Sequence, residues 1–176
     1  MVLYKSKSAT LATLIAHNNG EGEKMKNTAL CYLEKDGSYL MLHRIKKEND
    51  ENHDKWIGVG GKLESGESPF DCAMREIMEE TALTPRKLSY RGIITFVSDF
   101  YGTEYMHLFT CADFSGEMNR NCDEGVLEWV KKEEVSNLPI WEGDKIFLSL
   151  LDTETQFFSL KLVYEGDRLV SHKLES

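Results

Sequence analysis

The chain has 176 residues, which suits a single domain of ordinary size and leaves no room for two full ones. Apolar residues make up 41% of the sequence and charged residues 29%, a balance that excludes collagen, coiled coil and long-range disorder. The 30 acidic and 21 basic residues give a formal net charge of −9 at pH 7. This acidity argues against a nucleic-acid polymer as partner, because proteins bind such polymers through cationic surfaces.

The first 26 residues differ from the rest of the chain. They are mostly polar and show no sustained hydrophobic period, whereas regular patterning begins at Thr28. We therefore predict an N-terminal extension at residues 1–26 and one folded domain at residues 27–176.

In the predicted domain, apolar-rich runs are separated by turn residues. Runs at residues 28–33 and 39–43 flank the pair Asp36 and Gly37, which is typical of a tight β-hairpin. The remaining predicted strands lie at residues 56–61, 88–97, 105–114, 126–130, 157–164 and 168–173.

Two helices are predicted among these strands. Ser68 is a favourable N-cap and Pro69 favours the first helical position, so the first helix is expected to end near Thr81. The second helix is predicted at residues 142–151. Many strands with few helices indicate a mixed β-sheet with helices packed on it, which is an α+β fold.

The first predicted helix carries two kinds of side chain at helical spacing. Its apolar stripe, predicted to face the core, consists of Phe70, Ala73, Met74, Ile77 and Thr81. Glu76, Glu79 and Glu80 are predicted to share the opposite side. Carboxylates this close repel one another, and a bound cation would offset the repulsion. Oxygen ligands without a nearby His or Cys favour Mg²⁺, with Mn²⁺ as a substitute; a solvated acidic face is the alternative.

The acids belong to a longer pattern. Its fixed positions are Gly61, Glu67, Arg75, Glu76, Ile77, Glu79, Glu80 and Leu83. In residue type and spacing this pattern resembles the signature of the Nudix hydrolase family. The family's usual glycine at the end of the signature helix is Ala82 here, a change that removes no metal ligand.

The resemblance implies a fold, an activity and a set of roles. The fold would be an α/β/α sandwich, a mixed sheet between helices with the signature as a loop–helix–loop and a second helix packed on the sheet. The activity would be metal-dependent hydrolysis of a nucleoside diphosphate linked to another group. The implied metal ligands are Glu76, Glu79, Glu80, Glu124 and the backbone carbonyl of Gly60. Arg75 would orient a carboxylate, with Glu67 in a supporting role. The implied general base is left open among Glu76, Glu79 and Glu124.

Further positions resemble the family members that hydrolyse oxidised purine nucleoside triphosphates. Glu124, just before a predicted strand, would add a metal ligand or a base; an ordinary loop acid is the alternative. The implied substrate-binding residues are Lys62, Trp141, Glu142 and Asp144. Trp141 would stack on a purine, and a plain core residue is the alternative. Ile57 stands where the animal enzymes carry Asn, and an Ile side chain cannot hydrogen-bond to a base edge.

The resulting prediction is a Mg²⁺-dependent nucleoside triphosphate pyrophosphohydrolase. Its substrate would be 8-oxo-dGTP or a related purine nucleotide, cleaved to the monophosphate and pyrophosphate as in sanitation of the nucleotide pool. The alternatives are a Nudix hydrolase of ADP-ribose or a dinucleoside polyphosphate, and a catalytically silent nucleotide sensor. We expect a monomer or a homodimer.

The cysteines and the hydropathy indicate the compartment. The four cysteines are scattered and form no C-x-x-C pair, which favours free thiols in a reducing cytosol over a zinc site. No apolar run approaches the roughly 20 residues of a membrane span. We therefore expect a cytoplasmic protein without a membrane partner.

Overall fold

The computed structural model describes residues 25–47, 50–120 and 122–175. The predicted N-terminal extension, apart from its last two residues, lies outside these ranges. No helix in the described ranges is long and apolar enough to cross a membrane.

The described residues form a mixed sheet and a few helices. The strands are β1 (Lys26–Lys35), β2 (Ser38–Arg44), β3 (Trp56–Ile57), β4 (Val59–Lys62), β5 (Thr84–Ser98), β6 (Gly102–Ser115), β7 (Gly125–Lys131), β8 (Phe158–Glu165) and β9 (Arg168–Glu175). The helices are α1 (Pro69–Thr81), α2 (Lys132–Val135) and α3 (Glu142–Thr153). The predicted strands and both predicted helices are confirmed, with longer bounds for most, and the predicted strand at 56–61 is split at Gly58. Helix α2 was not predicted from the sequence.

The main path of the sheet runs β3-β2-β1-β6-β5-β8-β9, with β4 paired to β1 and β7 paired to β2. The β1–β6 and β5–β8 pairs are parallel and the other pairs are antiparallel. The predicted β1–β2 hairpin turns at Asp36 and Gly37, whose φ angles of 49° and 71° fit a tight two-residue turn. Beyond the turn β1 and β2 diverge, since β1 then pairs with β4 and β6 while β2 pairs with β3 and β7.

Two apolar cores lie on opposite faces of the sheet. Strand β1 shows this directly, because Ala29 and Leu33 pack in the core that includes Ile77 of α1. The intervening Tyr32 packs in the core that includes Phe147 of α3. Successive side chains of a strand point to opposite faces, so α1 and α3 cover different sides of the sheet. This is the expected layered arrangement.

Helix α1 begins with the predicted cap. The Ser68 side chain accepts a hydrogen bond from the Asp71 amide at 3.2 Å, and the Asp71 carboxylate accepts one from the Ser68 amide at 3.1 Å. This reciprocal capping box satisfies two backbone donors at the helix start. At the other end, Ala82 adopts the left-handed conformation with φ 60°, a backbone position that usually favours glycine.

The predicted division of α1 into an apolar and an acidic side was partly wrong. Phe70 is 46% exposed, whereas Glu80 is only 7% exposed and packs on the core side. The reason is geometric: Glu80 is seven residues after Ala73, which returns it to nearly the same angle around the helix as that core residue. Glu80 therefore lies within the apolar stripe, whereas Glu76 and Glu79 lie at its edge or outside it.

Candidate active site

A cavity of about 800 Å³ opens between the signature region and the start of α3. Its volume falls in the usual range for small-molecule sites. One end, here called the acidic end, is lined by Arg44, Lys47, Gly60, Arg75, Glu76 and Glu124. The other, here called the aromatic end, is lined by Phe96, Tyr101, Glu104, Met106, Trp141 and Asp144. The fold thus brings residues from distant parts of the sequence to one cleft.

Glu80 lies behind the acidic end and is the most buried signature acid. Its Oε2 atom accepts a hydrogen bond of 3.0 Å from the Gly60 amide. Burial, followed by the charges of Glu124 and Glu76, raises the pKa of Glu80 to about 8. Burial therefore favours the protonated form of this carboxyl, whereas a further positive charge nearby would favour its ionised form.

Arg75 connects the signature acids to one another. Its Nε and Nη2 atoms donate to the two oxygens of Glu67 at 2.7 and 3.0 Å, a bidentate pair. Its Nη1 atom donates to Glu76 at 2.7 Å and to Glu79 at 3.1 Å. The Arg75 guanidinium lowers the pKa of Glu67 to about 2, whereas burial shifts the pKa of Glu80 in the opposite direction. Arg75 thus contacts Glu67, Glu76 and Glu79, and the orienting role of Arg75 and the supporting role of Glu67 stay predictions.

Glu76 faces the cavity because its neighbour on β4 has no side chain. A Cβ atom on Gly61 would lie 2.2 Å from Glu76 Oε1. The glycine therefore leaves the space that this carboxylate occupies. Burial is the main cause of the raised pKa of Glu76, which suits a carboxyl that exchanges a proton.

Glu124 reaches the acidic end from the segment before β7, and Arg44 holds it there. Arg44 Nη1 donates to Glu124 Oε2, and Lys47 Nζ donates to Glu124 Oε1 at 2.6 Å. Arg44 also donates to Asp50 at 2.5 Å. Sequence reasoning predicted Glu124 but missed Arg44, Lys47 and Asp50. The charged loop was visible in the sequence, but nothing local connects it with Glu124.

The aromatic end is built around Trp141, which is 9% exposed. Its ring centroid lies 5.6 Å from that of Tyr164 and 6.4 Å from that of Phe96, both in edge-on contacts. Its Nε1 atom donates to Asn52 Oδ1 at 2.8 Å, and Lys55 Nζ lies 5.0 Å from the ring centroid. Trp141 is thus a packed residue and a cavity wall at once, so both interpretations of its role describe part of its environment.

Asp144 lies in the first turn of α3 and is only 7% exposed. Burial raises the pKa of this carboxyl to about 8, although the nearby Lys55 acts in the opposite direction. No hydrogen bond of the described residues engages its side chain, and it lines the cavity. A buried carboxyl of this kind can both donate and accept hydrogen bonds when it holds a proton.

Four predicted site residues do not line the cavity: Glu67, Glu79, Glu80 and Glu142. Glu80 lies behind the acidic end and Glu67 contacts Arg75, as described above. The Glu79 side chain is 60% exposed and contacts Arg75 from outside. Glu142 is exposed and borders a separate shallow pocket beside Trp141 and Arg168. Helical geometry explains Glu142, because it lies two residues before Asp144 and side chains at that spacing point in different directions. Lys62 does line the cavity, as predicted, with an exposed side chain.

The acidic end has the donor chemistry of a divalent-cation site. Glu76, Glu80 and Glu124 supply hard carboxylate oxygens, which suit Mg²⁺ or Mn²⁺. Within the described ranges, no three acidic, histidine or cysteine side chains are grouped closely enough to hold an ion. Arg75 and Arg44 are the present charge partners of Glu76 and Glu124. A cation would therefore replace these contacts, and its charge would ionise Glu80.

Known proteins share this sequence pattern and this fold. The NUDIX domain matches residues 24–151. The chain is 31% identical over 125 residues to YvcI of Bacillus subtilis, an uncharacterised Nudix hydrolase, and the alignment covers 69% of this chain and 75% of the relative. It is 32% identical over 124 residues to the oxidised purine nucleoside triphosphate hydrolase of Danio rerio, covering 69% and 78%. A crystal structure of a MutT protein from Bacillus halodurans has a TM-score of 0.76 at 28% identity, covering 85% of this chain and 97% of that one.

Proposed function

Because the chain belongs to the Nudix hydrolase family, we propose that it is a divalent-metal-dependent pyrophosphohydrolase of oxidised purine nucleoside triphosphates such as 8-oxo-dGTP. The family membership makes it a hydrolase of pyrophosphate bonds in nucleotide-linked substrates. The observation that supports the finer proposal is a single cavity with carboxylates at one end and Trp141 beside Asp144 at the other. The relative in Danio rerio is named for this activity, which supports the same substrate class.

The acidic end is suited to attack of water on a phosphorus atom. Water adds to one phosphorus of the α–β bridge and the P–O bond from that phosphorus to the bridging oxygen breaks, so the products are a nucleoside monophosphate and pyrophosphate. A divalent cation held by Glu76, Glu80 and Glu124 would neutralise the phosphoryl oxygens and activate the water. Arg44 and Lys47 line the same end and would add positive charge for the remaining phosphates.

The proton of the attacking water requires a carboxylate that faces the substrate. Glu76 and Glu124 line the cavity and are our two candidates for the general base. Glu79, the third candidate from the sequence, is exposed and lies outside the cavity lining. Arg75 fixes Glu76 from one side, which keeps its carboxylate in place for proton transfer.

The aromatic end is suited to a purine. The base would lie against the Trp141 and Phe96 side chains, an arrangement that contributes about 1–3 kcal/mol per stacked base. Asp144 offers a carboxyl that can hydrogen-bond to the base edge in its protonated form. Ile57 also lines the cavity and supplies only apolar contact.

The test is hydrolysis of a nucleotide panel by the full-length protein with Mg²⁺ and with Mn²⁺, the products being resolved by chromatography. The panel contains 8-oxo-dGTP, dGTP, the other triphosphates, ADP-ribose and diadenosine polyphosphates. We expect 8-oxo-dGTP to be cleaved to monophosphate and pyrophosphate with the highest kcat/KM. Preference for ADP-ribose or a dinucleotide would overturn the substrate proposal. Absence of cleavage of every compound would support a silent nucleotide sensor.

The compartment and the assembly stay predictions. All four cysteines, Cys31, Cys72, Cys111 and Cys122, are buried free thiols, which is consistent with the cytoplasmic location that the sequence predicts. The expected monomer or homodimer can be measured by light scattering.

A further inference from the structure

Glu104 lies on the floor of the cavity, where neither the sequence pattern nor the proposed chemistry uses a carboxylate. It lies on β6, opposite Lys26 of β1 and opposite Phe96 of β5. These three residues form one row across the sheet and all line the cavity. The strand register therefore points the Glu104 side chain at the same space that the phosphates and base would occupy.

One oxygen of Glu104 is held and the other is available. Thr28 Oγ1 donates to Glu104 Oε1 at 2.7 Å. Lys26, the nearest cation in the row, instead pairs with Glu51 at 2.8 Å. No hydrogen bond within the described part of the chain engages Glu104 Oε2. A partly buried acceptor in this state is satisfied only by water or by a donor on a ligand.

The position of Glu104 along β6 indicates which part of the ligand it meets. Gly60 pairs with Leu30, and Leu30 pairs with Leu108 of β6, four residues beyond Glu104. Four strand residues span about 13 Å, so Glu104 is well separated from the acidic end. Its cross-strand neighbour Phe96 contacts Trp141, with ring centroids 6.4 Å apart. Glu104 thus borders the aromatic end.

A carboxyl at this place discriminates between ligand groups by their chemistry. It repels phosphate and cannot hydrogen-bond to a group that carries only acceptors. It accepts hydrogen bonds from N–H donors, such as the amino and ring N–H groups on the Watson–Crick edge of a guanine-type base. Sugar hydroxyls are also hydrogen-bond donors. Substrates that differ in the base or in the sugar distinguish the two kinds of donor.

We propose that Glu104, positioned by Thr28, is a specificity-determining residue that accepts a hydrogen bond from the 2-amino group of a guanine-type base through Oε2. This inference rests on the proposed function. Asp144 would contact the base from α3, and Glu104 would contact it from the sheet. The enzyme would then prefer guanine-type over adenine-type and hypoxanthine-type purines, because the latter two lack the 2-amino donor.

The test compares steady-state kinetics of wild type, Glu104→Gln and Glu104→Leu on 8-oxo-dGTP and on 8-oxo-dITP, which differ only in the 2-amino group. For 8-oxo-dGTP we expect Glu104→Leu to raise KM about 10-fold with kcat changed by less than about 2-fold, since one hydrogen bond to the carboxyl group is lost. Glu104→Gln keeps an acceptor oxygen and is expected to raise KM no more than about 3-fold. For 8-oxo-dITP the KM of Glu104→Leu should equal that of wild type.

Controls separate the possible failures. Glu128→Gln removes an exposed strand carboxylate on β7 and should leave both substrates unaffected. A thermal melt shows whether Glu104→Leu is folded, and Glu104→Gln serves if it is not. An equal rise in KM for both substrates, or a larger rise for the ribonucleotide 8-oxo-GTP, would assign Glu104 to other contacts and overturn the proposal. An unchanged KM with active wild type would overturn this inference alone, whereas a wild type that cleaves no triphosphate would overturn the proposed function as well.

Discussion

The two ends of the cavity differ in how they hold their carboxyl groups. At the acidic end, Glu67 and Glu76 contact Arg75, while Glu124 contacts Arg44. At the aromatic end, Asp144 is buried beside the apolar core that includes Trp141 and Phe147, and no salt bridge among the described residues involves it. The acidic end is thus a network of opposite charges, whereas the aromatic end is a buried apolar surface with carboxyls at its edges.

Carboxyl side chains therefore serve two different purposes at the two ends of the cavity. Glu67, which Arg75 contacts through two hydrogen bonds, stays ionised, as its pKa of about 2 indicates. A carboxyl removed from water, like Asp144 with its pKa raised to about 8, holds a proton and can act as a hydrogen-bond donor. The acidic end is suited to charged groups, whereas the aromatic end is suited to recognition by shape and hydrogen bonding.

At the acidic end, the largest loss of activity is expected from a substitution at Glu80. We expect Glu80→Gln to lower kcat at least about 100-fold, roughly 2.7 kcal/mol in the barrier, because the amide cannot ionise to bind a cation. The fold should persist, since the amide oxygen can still accept the Gly60 hydrogen bond. The measurement is kcat with Mg²⁺ together with a thermal melt, and Glu128→Gln is the matched control. Normal turnover would remove Glu80 from the cation site.

Substitutions at the adjacent residues Gly60 and Gly61 are expected to affect stability and activity, respectively. Alanine at Gly61 would displace the flexible Glu76 side chain, so we expect kcat to fall about 10-fold with little loss of stability. Alanine at Gly60 would instead place Cβ 2.0 Å from the Ala29 backbone oxygen, which cannot move without β1. We expect Gly60→Ala to reduce the free energy of unfolding by about 3 kcal/mol. Kinetics and urea unfolding of both variants test the distinction, and equal effects on stability would contradict it.

Substitutions at the aromatic end should change KM and leave kcat nearly unchanged. Trp141→Phe removes the hydrogen bond to Asn52 and part of the stacking surface but keeps an aromatic ring among Phe96 and Tyr164. We expect KM for purine triphosphates to rise about 3- to 10-fold while kcat stays within about 2-fold. Trp141→Ala should raise KM further but also unfold more easily. An unchanged KM in both variants would make Trp141 a core residue only.

A last prediction concerns Asp144 and the pH dependence of stability. Below pH 3.8 Asp144 is protonated in both the folded and the unfolded chain. As pH rises from there to about 8, the unfolded chain ionises first, so the stabilisation associated with the raised pKa is progressively lost. Asp144→Asn cannot ionise, so its melting temperature should exceed that of wild type at pH 8 by about 2–4 °C per kcal/mol gained, and much less at pH 4. A constant difference across this range would contradict the raised pKa.

Much of the fold followed from local patterns. The hairpin at Asp36 and Gly37, the capping box at Ser68 and the strands were predicted because turn residues, caps and hydrophobic alternation act over a few neighbouring residues. The angle of Glu80 around α1 was misjudged, although the helical period places it with Ala73. That error came from grouping acids by type and ignoring their geometry.

The family signature, the acids of α1 and the positions of Trp141 and Asp144 after the strands could all be identified from the amino-acid sequence. The contact of Arg44 with Glu124 and the opening of Glu104 onto the cavity depend on how the strands pair. Arg44 and Glu124 are 80 residues apart, and Thr28 and Glu104 are 76 apart. Local sequence patterns record helical and strand periods, but contacts at such separations depend on which strands pair and in which register. The pairing and register of the strands therefore determine the contacts that Glu124 and Glu104 make in this cleft.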